Sequence, residues 1–163
     1  MTTCVTPKQS HMTLKDKIFN ILAGYGLMVV WVVIVVGIFK GLYNANISTL
    51  SDLFQSQFSP FSQPSIWFMI FMSCVWAPIW EEAVFRYAPL QLIRSSQVDS
   101  LSVVLLSSAL FGWLHGGAGN VMIQGVYGLI FSWVYIKNDY SIVSSMFLHS
   151  LWNASVMLFN HFN

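Results

Sequence analysis

SIWFMIFMSCVWAPIWEEAVFRYAPLQLI, residues 65–93, is a largely apolar run that carries three charges, Glu81, Glu82 and Arg86, within six residues. A run of this length is long enough for a membrane-spanning helix, which needs about 20 apolar residues. A charge at the centre of such a helix costs roughly 2.5–3.5 kcal/mol on insertion scales. Whether the run spans a membrane, and why it keeps the charges, therefore decides both the fold and the chemistry. The remaining charges fall in the N-terminal tail, at the edges of apolar stretches or in loops.

The composition answers the first question. Hydrophobic residues make up 56% of the 163-residue chain and charged residues 8%, with a mean hydropathy of +0.64. Soluble domains carry roughly a quarter charged residues, so an all-α membrane protein is expected, a polytopic bundle of about five transmembrane helices. The apolar stretches are Ile18–Phe39, Ser65–Ile93, Leu101–His115, Val121–Ile136 and Ile142–Phe159. They divide the chain into a tail (1–17), an N-terminal membrane anchor helix (18–40), an external loop (41–64), a membrane core (65–159) and a short C-terminal tail (160–163). Ile18–Phe39 is too long for a signal-peptide core and reads as a retained anchor. No further domain is expected. A net charge of +1 gives no basic field, so a nucleic-acid partner is not expected. Cys4 and Cys74 are too few for a disulfide framework or a thiolate metal site, and His11 and His161 sit near the termini and read as inert.

Lysine and arginine favour the cytoplasmic side. With five crossings, Lys8, Lys15, Lys17, Arg94 and Lys137 share one side and Lys40 alone lies on the other. The expectation is a multi-pass cell-membrane protein with its N-terminus cytoplasmic and its C-terminus external. Depth follows from the helix rise of 1.5 Å per residue. Glu81 is then ~20 Å from the cytoplasmic end of its helix, His115 ~21 Å and His149 ~15 Å. Three helices deliver an ionisable residue to a similar depth. The link Gly116–Asn120 joins two short helices, so it is expected to dip below the outer surface and to line a watery cavity near His115.

Glu82 and Arg86 are four apart and share a helix face, which reads as a structural salt bridge. Glu81 is turned ~100° away and needs another partner. A carboxylate in such surroundings is a candidate general base or acid. "FGWLH" places Phe111 and His115 four apart, and "HSLWN" does the same for His149 and Asn153. Together these residues offer a base, a second proton-handling group and hydrogen-bond donors, the set that amide hydrolysis requires. A zincin helix is absent because no HExxH occurs. Glu81, His115 and His149 could hold zinc as a His₂Glu set, a weaker reading because Asn153 and Glu82 would then lack a task. No Gly-x-Ser-x-Gly elbow is present. Proton relay in a small transporter also uses buried Glu and His, but it gives no reason for the Asn four residues after His149.

"EEAVFR" (Glu81–Arg86), "FGWLH" (Phe111–His115) and "HSLWN" (His149–Asn153) resemble, in order and spacing, the EExxxR, FxxxH and HxxxN motifs of the CAAX-protease and bacteriocin-processing (CPBP, or Abi) family. The resemblance covers residues 65–159 and implies an intramembrane endopeptidase of the glutamate type acting on a membrane-associated peptide or protein. It implies that Glu81 activates water, that His115 shares its proton, that His149 and Asn153 supply oxyanion donors, and that Glu82 and Arg86 brace the helix. It also implies a bacterial protein, with a role in bacteriocin self-immunity or peptide processing. The residue set is complete for a metal-free mechanism, so no cofactor is expected. Family sequences often place Gly after the motif arginine, whereas this chain has Tyr87, then Ala88 and Pro89, beside the salt bridge. The rival reading is a non-catalytic immunity or scaffold protein on the same fold.

Overall fold

The computed structural model describes residues 12–43, 65–93 and 99–162. Most of the expected external loop lies outside these residues, as do Cys4, His11 and Arg94. The architecture is an all-α membrane bundle: α1 (Leu14–Tyr43), α2 (Ile66–Ile93), α3 (Ser100–Leu114), a single turn α4 (Ala118–Val121), α5 (Gln124–Lys137) and α6 (Ile142–Phe162). Four stretches, Leu14–Ile38, Ile66–Ile93, Ala118–Lys137 and Ile142–His161, are long and apolar enough to cross a membrane, and α3 is a shorter apolar helix. Two boundaries differ from expectation. Helix α1 starts at Leu14 because Thr13 and Asp16 form a reciprocal cap, Thr13 N–H donating to Asp16 Oδ2 and Asp16 N–H to Thr13 Oγ1. Helix α6 runs to Phe162, so most of the expected tail is helical.

Helix α2 is α-helical except for two π-helical turns, Met72–Trp76 and Ala83–Tyr87. Each is followed by an Ala-Pro step, Ala77-Pro78 and Ala88-Pro89. Proline has no N–H and its ring clashes with the carbonyl four residues back. The extra residue of a π turn moves that carbonyl aside. Ala77 N–H accordingly bonds Met72 O and Ala88 N–H bonds Ala83 O, five residues back. Glu81 and Glu82 lie between the two π turns.

Helices α3 and α5 approach through small residues, the usual device where lipid removes the hydrophobic drive between helices. A Cβ on Gly112 would meet Asn120 O, Gly125 N and Val121 Cα at 2.7 Å. A Cβ on Gly128 would meet Ser108 Cβ at 3.0 Å and Arg86 Nη2 at 3.1 Å. Gly116 and Gly117, at φ 138° and 81°, end α3 in a conformation that residues with a side chain rarely adopt, and Asn120 Nδ2 donates to His115 O across the link. At the other end of α3 the Asp99 carboxylate accepts from Leu101 N–H and Ser102 N–H, a standard N-cap.

Helix α1 packs into the bundle rather than trailing from it. Gly24 sits against Val134 and Leu148, and Met28 is fully buried. Polar contacts join it to the rest: Asn20 Nδ2 donates to Asn138 Oδ1 at 2.8 Å, Tyr25 Oη and Ser155 Oγ share a hydrogen at 2.8 Å, and Trp31 Nε1 donates to Met122 O at 3.1 Å. Asn138 Nδ2 donates in turn to Lys17 O. Asn138 is fully buried in the turn between α5 and α6, so both ends of its amide are occupied by α1.

Candidate active site

The α2 segment between the π turns aims two carboxylates in different directions. Glu82 points into the bundle and is fully buried with Arg86, whose Nη1 lies 3.2 Å from Glu82 Oε1. The guanidinium lies over the rings of Phe111 (4.3 Å from Cζ to the centroid) and Phe131 (5.2 Å). Cation–π attraction is strong when both groups are desolvated and offsets part of the cost of burying the ion pair. The glycine at 128 leaves room for the guanidinium against α5.

Glu82 does more than neutralise Arg86. Its Oε1 also accepts from His149 Nδ1 at 3.0 Å. A carboxylate held beside an arginine can only accept, so the Nδ1 of His149 carries the proton. The imidazole is stacked on Phe131, with centroids 4.5 Å apart and planes at 20°. His115 is fixed by the same logic. Its Nδ1 lies 2.7 Å from Phe111 O, and a carbonyl can only accept. Both rings thus spend Nδ1 on a fixed acceptor, and both present Nε2 to Glu81 Oε2, at 3.6 Å from His115 and 3.7 Å from His149. Those separations exceed a direct hydrogen bond.

Asn153 occupies the next turn of α6. Its Nδ2 donates to Ser73 O at 2.8 Å. The first π turn explains why that carbonyl needs a donor: Ala77 N–H is taken by Met72 O, and the residue five beyond Ser73 is Pro78, which has no N–H. His149 and Asn153 lie four residues apart on one face of α6, and both contact α2.

The structure brings together all six residues singled out from the sequence. Glu81, His115, His149 and Asn153 line one cavity of about 300 Å³ between α2 and α6, with Gln124 and Asn160 also on its walls. Glu82 and Arg86 lie behind it. Among the described residues, no group of three or more His, Cys, Asp or Glu side chains is arranged to hold a metal ion. Sequence reading missed Phe131, Gln124 and Asn160. Phe131 carries no signal in an aromatic-rich chain, and Asn160 fell in the stretch read as a tail.

The family described as Type II CAAX prenyl endopeptidase Rce1-like matches residues 63–155. This agrees with the resemblance carried by the three motifs. Comparison with the curated proteins and with the solved structures finds no match.

Proposed function

Because the chain belongs to the Type II CAAX prenyl endopeptidase Rce1-like family, a family of peptidases matched over residues 63–155, we propose that it is an intramembrane endopeptidase hydrolysing a peptide bond in a membrane-associated peptide or protein. The observation that carries the reading is the placement of Glu81 Oε2 between the Nε2 atoms of His115 and His149 in the cavity wall. Glu81 takes a proton from water and the hydroxide adds to the scissile carbonyl. His115, with Nδ1–H committed to Phe111 O, presents Nε2 towards Glu81 Oε2, takes that proton and passes it to the leaving amine. With Nδ1 held by Glu82 Oε1, the His149 ring is oriented so that a proton on Nε2 can be donated to the oxyanion. Asn153 spends one amide hydrogen on Ser73 O and keeps the second for the same oxyanion. The course is metal-free, with the N-terminus cytoplasmic and the C-terminus external. In a bacterial host, small membrane-active peptides such as bacteriocins or peptide signals are substrates of fitting size.

The test compares wild type with Glu81→Gln in the host membrane at equal protein levels, reading released and retained peptides by mass spectrometry. Termini present with wild type alone establish proteolysis and identify the substrate. Identical peptide profiles, with the variant still complementing a deletion, would replace the peptidase reading with a binding role.

A further inference from the structure

The cavity is longer than one peptide bond needs. Its α6 wall runs from His149 to Asn160, eleven residues or ~16 Å of helix. An extended chain advances ~3.3 Å per residue, so the slot takes about five residues. Apart from Glu81 and the two histidines, no side chain lining it among the described residues is ionisable. Two of the neutral ones are carboxamides on different elements: Gln124, the first residue of α5, and Asn160, near the end of α6. Both are half-buried, and neither side chain makes a hydrogen bond among the described residues. Asn153, by contrast, is partly committed to Ser73 O.

A carboxamide offers one acceptor and two donors, which matches the C=O and N–H of a peptide main chain. Resting on the peptidase reading, we propose that Gln124 and Asn160 are substrate-holding residues that grip the main chain of an extended, uncharged peptide segment of about five residues on one side of the scissile bond. Among the described residues the walls carry no lysine or arginine to meet an acidic side chain and no carboxylate beyond Glu81 to meet a basic one, so a charged residue in this segment enters at a desolvation cost. Main-chain gripping also lets one slot accept varied apolar sequences, because every residue presents the same amide.

The experiment uses the full chain in lipid nanodiscs and fluorescein-labelled decapeptides whose central six residues are Ala, Val, Ser and Leu, with internally quenched versions reporting cleavage. Gln124→Ala and Asn160→Ala are each expected to raise Kd and KM about fivefold, the size of one lost neutral hydrogen bond, with kcat within about twofold. A central Lys or Asp is expected to weaken binding at least about tenfold. Replacing a central amide by an ester removes one N–H. It should reproduce the loss in wild type and add nothing in the matching variant, a coupling that a merely structural role would not show. Unchanged Kd and KM in both variants, no coupling to the ester, or no saturable binding to wild type overturns the proposal. Cleavage with Kd and KM unmoved by either substitution removes the clamp and keeps the peptidase. Binding that responds to both substitutions, without cleavage, keeps the clamp and removes the peptidase.

Discussion

Glu82 is the residue on which the buried chemistry turns, since one oxygen serves both Arg86 and His149. Removing Arg86 alone leaves a carboxylate buried without its counter-ion, a situation that costs about 3–5 kcal/mol. Arg86→Met is therefore expected to lower thermal stability sharply in detergent. Arg86→Met with Glu82→Gln should recover a large part, because the uncompensated charge is gone. Thermal unfolding of the single and double variants checks this. Activity separates the two carboxylates further. Glu81→Gln should abolish turnover while leaving the melting temperature within a few degrees, whereas Glu82→Gln should lower both. The charges were legible in the sequence, as was the Glu82–Arg86 pairing, because four-residue spacing fixes a shared helix face. The second partner of Glu82 was not. His149 lies 67 residues away, and no local pattern says which of two adjacent carboxylates a distant ring will meet.

At the scale of the element, α2 is broken into α-helical pieces so that two prolines can remain within a membrane span. Asn153 then completes the hydrogen bonding that Pro78 denies to Ser73 O. Pro78→Ala restores an N–H at that position, so the two substitutions should be coupled. Asn153→Ala is expected to cost about 1 kcal/mol by removing the donor to a part-buried carbonyl, and less than half of that in a Pro78→Ala background. A double-mutant cycle on unfolding free energy measures the difference. The α3–α5 contact gives a sharper contrast. Gly112→Ala forces a Cβ against backbone atoms at 2.7 Å and should reduce the yield of folded protein severely. Gly26→Ala, with nothing within 4 Å, should be silent. Two prolines within the apolar run were legible in the sequence. The π turns were not, although the repeated Ala-Pro step was in plain view, because a proline marks a disturbed helix without saying which way the backbone relieves it.

The whole molecule turns its large apolar side chains outward: Trp67, Leu92 and Leu14 are each more than 70% exposed, while Arg86, Glu82 and Asn138 are sealed inside. The polar interior therefore needs every helix in place. Helix α3, at 15 residues, spans ~22 Å, less than the ~30 Å hydrocarbon core. A single cysteine placed at Gly119, in an otherwise cysteine-free chain, is expected to react with a water-soluble maleimide. One placed at Leu106, on the exposed apolar face of α3, should not. Composition and periodicity made the bundle readable, and hydropathy alone located α1. Its integration was hidden, because Asn20 looks like a stray polar residue until Asn138 is seen beside it. The same pairing bears on the order of synthesis. Asn20 leaves the ribosome 118 residues before Asn138, and Tyr25 130 residues before Ser155. At 5–20 residues per second, the first helix waits roughly 6–24 s in the bilayer before its polar partner is made. Chains halted in that interval carry an unpaired amide that marks them as unfinished, and it is the last helix to insert that commits the first one to its place.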